Sequence, residues 1–328
     1  MFATRHFQSF LRISRNRLPR HYSTAQFPPV EKFVLYVDKN VLVLNKPTGL
    51  ICQLGTKRPR KDGPIGREEA KEEVEITLDD LLSDLEERLH LPEIPRHVHR
   101  LDKRTTGALA LAVTANHAKE LSRQFAQHTV SKTYLALVRG GEKSFPTTSG
   151  TIDSPLLVDE DGRVYLVGSN KSEAISNIKP KAAITDWELI CSSPVAPVSL
   201  VKLSPTSGVK HQLRVHMAHG PTHTPILGDT LYASQKLSSQ IKSLATISPE
   251  LMYLHASSIS YYRYRPFGKR VRFGINAPLP GYFTKLCSKL NIHLDRDIVK
   301  GGLYLDDVRV DNIGENEIVN EWDGRWLG

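Results

Sequence analysis

The chain has 328 residues, of which 40% are hydrophobic and 24% are charged, and its formal net charge is +9. This composition is typical of a globular protein with a sizeable core, and no apolar run approaches the roughly 18–20 residues of a membrane-spanning helix. The three cysteines lie far apart and form no CxxC pair, which argues against a disulfide framework or a cysteine zinc site. We therefore predict a globular protein without a membrane span.

Residues 1–25 are predicted to form a mitochondrial transit peptide. The segment contains no Asp or Glu, and its apolar residues recur at near-helical spacing among serines. It carries five arginines, namely Arg5, Arg12, Arg15, Arg17 and Arg20. An arginine-rich, acid-free and amphipathic leader favours import into the mitochondrial matrix over secretion. The alternative is a basic arm that contacts RNA directly.

The first half of the remaining chain predicts strands, an exposed loop and two helices. The stretch "FVLYVDKNVLVLNKPTGL" indicates two strands joined by a tight turn, and residues 53–73 indicate an exposed basic loop. Thr77 can cap a helix whose apolar stripe runs from Leu78 to Leu89. The apolar run "GALALAVTA" predicts a buried strand, and Asn116 is predicted to cap the helix that follows it.

The second half adds further strands and one helix near the middle of the chain. The segments "KTYLALVRG", "VSLVKLSP", "LHASSISYYRY" and "KRVRFGINAP" are typical of strands. We interpret residues 207–220 as a helix that starts at Ser207, because Gly220 followed by Pro221 is a good helix stop. Strands outnumber helices without strict alternation, so we predict an α+β fold with a mostly antiparallel mixed sheet and flanking helices.

A lone acid, Asp102, stands among cations in the segment "RHVHRLDKRTTG". A partly buried, ionised carboxylate needs a cation nearby, which would hold its pKa down and keep it available as a nucleophile or base. Asp102 could equally be a turn residue that pairs with Lys103 or Arg104. The residues alone leave these two interpretations open.

A metal site is the other chemical hypothesis that the sequence offers. Six of its histidines are candidates, namely His97, His99, His211, His216, His219 and His223. They lack the close pair spacing and the carboxylate or thiolate partners that zinc sites usually show. The sequence also lacks GxGxxG, P-loop, HExxH and GxSxG signatures, so common nucleotide-binding and hydrolase motifs are missing. We therefore predict no metal.

Several segments together resemble the RluA-type pseudouridine synthases. "HRLDKRTTGALALA" is similar to the family motif H-R-L-D-x-x-T-S-G, with Thr106 in place of serine. The other similar segments, in family order, are "VLVLNKPTGL", "SKTYLALVRG", "SGVKHQLRVHMAHG" with "PILGDTLY", "LHASSISY" and "FGINAPLPGYF". The resemblance implies a catalytic domain over residues 26–284 without an S4 RNA-binding module. Residues 285–328 form a C-terminal extension that we expect to pack on this domain.

The resemblance also implies a reaction and a set of residues. Uridine in RNA would be isomerised to pseudouridine without cofactor or metal. The implied catalytic residues are Asp102 as the essential acid, Tyr134, which packs against the target ring and helps remove a proton, and Arg214 as the cation beside Asp102. Arg100 would help hold the target base out of the RNA stack, and Lys46 and His211 are implied at the substrate site. We expect a monomer that acts on structured RNA, with mitochondrial ribosomal RNA favoured and tRNA as the alternative.

Two alternatives remain open at this stage. The first is a non-catalytic RNA-binding or mitochondrial ribosome-assembly factor that keeps the fold. The second is a metal-dependent hydrolase that uses the histidines. The presence of Asp102, Tyr134 and Arg214 together argues against the first alternative, since a degenerate enzyme would be expected to lose one of them.

Overall fold

The computed structural model describes residues 30–52, 77–169, 178–233, 236–265, 268–311 and 322–328. The predicted transit peptide (1–25) and the whole of the predicted basic loop (53–73) therefore lie outside the described residues. Within the described ranges, the chain folds around one thirteen-stranded sheet and a separate two-stranded sheet. No helix in these ranges has the length and apolar character needed to cross a bilayer.

The described ranges contain fifteen strands and six α-helices. The strands are β1 Val34–Val37, β2 Val41–Lys46, β3 Arg96–His97, β4 Thr106–Ala112, β5 Ser131–Arg139, β6 Ser149–Asp153, β7 Leu156–Val158, β8 Val164–Leu166, β9 Ile184–Ser192, β10 Val198–Pro205, β11 Leu254–Tyr264, β12 Arg270–Asn276, β13 Gly302–Leu305, β14 Val308–Arg309 and β15 Arg325–Trp326. The α-helices are α1 Leu78–Leu89, α2 Ala115–Ala126, α3 Gln212–His219, α4 Ser239–Leu244, α5 Gly281–Lys289 and α6 Arg296–Lys300.

The large sheet is mostly antiparallel, as the sequence predicted. Its main path runs β15-β1-β2-β4-β11-β5-β10-β9-β6, with β12, β13 and β14 branching from β11 and β3 pairing with β4. Strands β4 and β11 pair in parallel, with Thr106 opposite His255 and Gly107 opposite Ala256. This parallel pair lies at the centre of the path. Strand β4 directly follows the segment that carries Asp102.

The core is divided by the sheet, and β4 is buried on both of its faces. One face carries Ala108 and Ala110, against which Leu121 of α2 packs. The other face carries Leu109 and Leu111, which pack with Leu85 of α1. Both faces of β4 are apolar because a helix covers each of them, which is why this strand appears in the sequence as a continuous apolar run.

The C-terminal segment packs on the sheet in its described parts. Strand β13 pairs with β12, and β15 pairs with β1 at the far edge. Trp322 is buried, and its ring lies 4.2 Å from the guanidinium carbon of Arg263, an arginine that forms a buried ion pair with Asp38. Helix α5 spans the position at which the sequence placed the end of the catalytic domain, after residue 284.

Two predicted helix starts are wrong. Helix α2 is capped by Thr114 rather than Asn116, because the Thr114 hydroxyl accepts the backbone N–H of His117. Helix α3 begins at Gln212 rather than Ser207. The Gln212 side chain folds back to accept hydrogen bonds from the Ser207 hydroxyl and the Val209 N–H, so residues 207–211 form a turn.

Replacing the cap of α2 should destabilise the protein measurably. Thr114→Ala removes the side-chain acceptor for an N–H group of the first turn, and such losses typically cost about 1 kcal/mol. Asn116→Ala is the matched control, since Asn116 is exposed within the helix and should change the free energy of unfolding by less than about 0.5 kcal/mol. Urea denaturation of both variants measures the difference, and equal effects would contradict the assignment of the cap.

Candidate active site

Asp102 lies in the loop between β3 and β4, and the backbone of this loop is fixed by Lys46. The Lys46 ammonium donates hydrogen bonds of 3.0 Å to the carbonyl oxygens of Pro47, Lys103 and Thr105. These bonds use all three of its N–H groups and tie the end of β2 to the residues that flank Asp102. Burial lowers the pKa of Lys46 to about 8.

The predicted role of Lys46 at the substrate needs correction. Lys46 has no exposed surface (0%), because it lies beneath the loop and its ammonium points at three carbonyls. It therefore supports the loop that presents Asp102 and offers no atom to a ligand in this conformation.

The cation beside Asp102 is Arg214, which lies on α3. Its Nη1 donates to Oδ2 of Asp102 over 3.2 Å. Arg104, one of the two turn partners considered from the sequence, donates instead to the hydroxyl of Thr230. The predicted Asp102–Arg214 pair thus joins residues that are 112 positions apart in the chain.

Arg214 is itself held by a second carboxylate, Asp229. Nε and Nη2 of Arg214 donate to the two oxygens of Asp229 at 2.7 and 3.0 Å, a bidentate arrangement. Asp229 is 1% exposed, and its Oδ1 also accepts the backbone N–H groups of Leu231 and Tyr232. The guanidinium therefore has a fixed orientation, with its remaining nitrogen directed at Asp102.

The buried pair stays charged because the interactions outweigh desolvation. Burial opposes the charge on Arg214, but its bonds to Asp229 and the charge of Asp102 raise its pKa above the usual value. Burial likewise opposes the charge on Asp229, yet Arg214 and the two backbone N–H groups lower its pKa below the usual range. Arg214 is consequently a permanent cation at the side of Asp102.

His211 approaches Asp102 from the turn before α3, with a left-handed backbone (φ 55°). Its Nε2 lies 3.8 Å from Oδ2 of Asp102, and its Nδ1 forms a 2.8 Å hydrogen bond with the hydroxyl of Tyr232. Burial lowers the pKa of His211 to about 4, although the charge of Asp102 opposes that shift. His211 is therefore neutral at pH 7 and contributes a hydrogen-bonding ring to the site.

Tyr134 lies on β5 and packs against two hydrophobic clusters. One contains Leu109 and Leu111, and the other contains Val201 and Leu203. Burial, assisted by the negative charge of Asp102, raises the pKa of Tyr134 above its ordinary value. The phenol therefore stays protonated at neutral pH. It offers the site an aromatic surface and a neutral O–H group.

These side chains surround a cavity of about 480 Å³, a size suited to a small organic ligand. Among the described residues, four cations (Arg100, Lys132, Lys210 and Arg214) and one carboxylate, Asp102, line it. Arg100 is exposed at the rim. A second, open cavity of about 420 Å³ also reaches Asp102, so this residue stands between two clefts.

The histidines that formed the metal hypothesis are directed to separate partners. His97 bonds to Asp79, His99 accepts the backbone N–H of Ala110, and His216 contacts Thr185 and the carbonyl of Ser154. Across the described ranges, no group of three or more His, Cys, Asp or Glu residues is arranged to hold a metal ion.

Of the six predicted site residues, five lie around one cavity: Arg100, Asp102, Tyr134, His211 and Arg214. Asp229 and Tyr232 were not assigned a role from the sequence, although both belong to the segment "PILGDTLY". An acid between apolar residues was a usable signal for Asp229, because a carboxylate in such a setting requires a cationic partner.

Comparison with known proteins agrees with this geometry. A family model described as RNA pseudouridylate synthase matches residues 40–219. The chain is 31% identical over 261 residues to an uncharacterised RNA pseudouridine synthase of Zymomonas mobilis, covering 79% of this chain and 99% of that protein. It is 32% identical over 223 residues to the dual-specificity RNA pseudouridine synthase RluA of Yersinia pestis, covering 68% and 92% respectively.

Mitochondrial proteins are among the similar sequences and structures. The chain is 30% identical over 320 residues to the mitochondrial pseudouridylate synthase RPUSD4 of Rattus norvegicus, covering 89% of this chain and 78% of the relative. The solved structure of human RNA pseudouridylate synthase domain containing 4 superimposes with a TM-score of 0.61 at 25% identity. That match covers 81% of this chain and 96% of the human chain.

The fold and the matched sequences define an RNA pseudouridine synthase, an isomerase of uridine in RNA. The chain belongs to the RNA pseudouridylate synthase family, and within it to the RluA type. This confirms the family and the fold class that the sequence motifs predicted.

Neutralising Asp229 should destabilise the protein strongly. Asp229→Asn keeps the side-chain size but removes the charge that compensates the buried Arg214, and loss of one member of a buried pair costs on the order of 3 kcal/mol. Glu188→Gln is the control, because Glu188 pairs with Lys202 on the exposed surface and such pairs contribute about 1 kcal/mol at most. Chemical denaturation compares the two, and similar small effects would refute the central role of the buried pair.

Proposed function

We propose that this protein converts uridine to pseudouridine in structured mitochondrial RNA, with ribosomal RNA favoured over tRNA, and that Asp102 is its essential catalytic residue. The observation that carries the proposal is the placement of Asp102 in the cation-lined cavity. Its side chain is 21% exposed, and Arg214 is bound to one of its oxygens. A carboxylate that is accessible and oriented by a cation can act on a bound nucleoside.

The isomerisation needs one bond to break and another to form at the same sugar carbon. The bond between N1 and C1′ of uridine breaks, the base rotates, and C5 bonds to C1′. C5 loses a proton and N1 gains one, so atoms and charge balance without a further reactant. Asp102 acts on the sugar or base as the reactive carboxylate, and the hydrogen bond from Arg214 orients it.

Tyr134 packs against the ring of the target uridine in this proposal. The sequence resemblance also implied a part in removing the carbon-bound proton. Because the pKa of Tyr134 is raised, the free enzyme holds it as a neutral phenol, which is a poor base. We therefore assign it first to packing and hydrogen-bond donation, which aromatic stacking on bases supports.

Arg100 and His211 both line the two clefts that meet at Asp102. Arg100 is exposed at the rim, lines both clefts, and is placed to keep the target base out of the RNA stack. Removing a base from the stack costs a few kcal/mol, which phosphate and stacking contacts must offset. His211, neutral and bonded to Tyr232, supplies a hydrogen-bonding ring to the substrate beside the reactive carboxylate.

The proposed compartment is the mitochondrial matrix. Pseudouridylate synthases named as mitochondrial in Rattus norvegicus, Bos taurus and Homo sapiens are 30%, 28% and 29% identical to this chain, which supports a mitochondrial location without specifying the matrix. The arginine-rich, acid-free residues 1–25 support the same assignment. The enzyme is proposed to act there as a monomer.

Pseudouridine mapping of mitochondrial RNA with and without the gene tests this function. We expect one or a few modified positions, in ribosomal RNA, to lose pseudouridine when the gene is deleted and to regain it with the wild-type gene. Loss of pseudouridine at tRNA positions alone would identify tRNA, and not ribosomal RNA, as the substrate. Impaired ribosome assembly with every pseudouridine retained would support the non-catalytic alternative and overturn the proposal.

Asp102→Asn should abolish product formation while changing RNA affinity by no more than about twofold. The amide cannot act as a nucleophile or base, yet it preserves the size of the side chain. Tritium release from C5-labelled uridine in RNA measures the turnover, and a filter-binding titration measures affinity. Asp307→Asn serves as the control, because Asp307 is an exposed surface acid. Product formation by Asp102→Asn at the wild-type rate would remove Asp102 from the mechanism.

A further inference from the structure

A second cation lies in the same cavity, away from the Asp102–Arg214 pair. Lys132 is on β5, two residues before Tyr134, and both side chains line the cavity. Its ammonium donates one hydrogen bond, of 2.9 Å, to the carbonyl oxygen of Ser207. Two residues along a strand span about 7 Å, so Lys132 is placed about one nucleoside length from Tyr134.

Lys132, which is half-buried, differs in its partners from three buried cations of the described residues, Lys46, Arg214 and Arg263. Arg214 has two carboxylates, Arg263 has Asp38, and Lys46 has three carbonyl oxygens. For Lys132 the described residues provide the one carbonyl and no carboxylate within ion-pair distance. An ammonium has three N–H donors, so two are available to a ligand in the cavity.

The pKa of Lys132 agrees with the lack of a carboxylate partner for its charge. Burial lowers its pKa to about 8, and no charged neighbour offsets the effect. Taking a charge out of water without a partner is costly, and an anion that entered the cavity would remove that cost. RNA brings such anions with every nucleotide.

We propose that Lys132 binds a backbone phosphate of the RNA, next to the uridine that lies against Tyr134 and Asp102. This rests on the proposed function, since it assumes that the cavity takes a uridine of an RNA chain. The phosphate accepts the two N–H groups of Lys132 that the protein does not use. Lys132 thereby fixes the position of the nucleotide relative to Asp102.

A purely structural role for Lys132 makes different predictions. Lys132 and His128 bond to the carbonyl oxygens of Ser207 and Thr206, so together they could position the turn that precedes α3. Loss of that positioning would disturb Arg214 and lower kcat. Loss of a phosphate contact would weaken RNA binding, raise KM and reduce the number of counterions that binding releases.

The test compares Lys132→Met, Lys132→Arg and Lys202→Met in binding to a short RNA hairpin with uridines in its loop. Lys202→Met is the matched control, because Lys202 is on the neighbouring strand and pairs with Glu188 at the surface. Fluorescence anisotropy at several salt concentrations gives the slope of log affinity against log salt. We expect Lys132→Met to reduce that slope by about 0.7–0.9, while Lys132→Arg and Lys202→Met keep it.

A second measurement identifies the phosphate. Single methylphosphonate replacements along the hairpin should weaken binding to the wild-type protein at one position next to a loop uridine. The same replacement should have no further effect on Lys132→Met, because the two changes remove one contact. Effects that add at every position, or an unchanged salt slope with a reduced kcat, would overturn the proposal.

These outcomes are separate from failure of the proposed function. Both measurements are made at binding equilibrium and do not depend on turnover. A wild-type protein that modifies no RNA would refute the proposed function, whereas the salt slope and the methylphosphonate scan would still decide whether Lys132 binds phosphate.

Discussion

The site depends on one buried guanidinium, that of Arg214, which is shared between two carboxylates. Asp229 binds it with both oxygens and is itself buried, whereas Asp102 accepts one nitrogen and remains partly exposed. The buried pair fixes the orientation of the guanidinium, so the remaining nitrogen has a defined direction. The partly exposed carboxylate of Asp102 is therefore held beside a cation in a defined orientation without being enclosed, as the proposed reactive role requires.

The parallel pairing of β4 and β11 fixes the position of the segment that carries Asp102. Gly107 lies at that junction with φ +110°, where a Cβ atom would overlap the carbonyl oxygen of Ala256. The Thr106 hydroxyl bonds to His255 on the neighbouring strand, which locks the register. Lys46 fixes the preceding loop from below. The segment "DKRTTG" is consequently a charged turn whose backbone has little conformational freedom.

Local signals in the sequence were sufficient for most elements but not for the contacts between them. The apolar run of β4 and the Thr77 cap of α1 are short-range features, and both were predicted correctly. The start of α3 was predicted wrongly because the Gln212 side chain bonds to the turn before the helix. The cap of α2 was predicted wrongly because the hydroxyl of Thr114, and not the side chain of Asn116, accepts the N–H of His117. The bonds of Asp229 to Arg214, and the burial of Lys46 against the carbonyls of Lys103 and Thr105, depend on tertiary packing, which propensity and spacing do not report.

The charges of the cavity also explain how a polyanion can approach a catalytic carboxylate. Arg214 is shared by two carboxylates, Asp102 and Asp229, so these three side chains together keep a formal negative charge. The other cations around the cavity, Arg100, Lys132 and Lys210, outweigh it and give the cleft an attractive field. Among the described residues, carboxylates balance the charge of Arg214, whereas Lys132 bonds to one carbonyl oxygen and has no carboxylate partner. In the proposed function, Arg214 therefore serves the chemistry and Lys132 binds the RNA. Both roles can share one cavity because its positive charges are divided in this way.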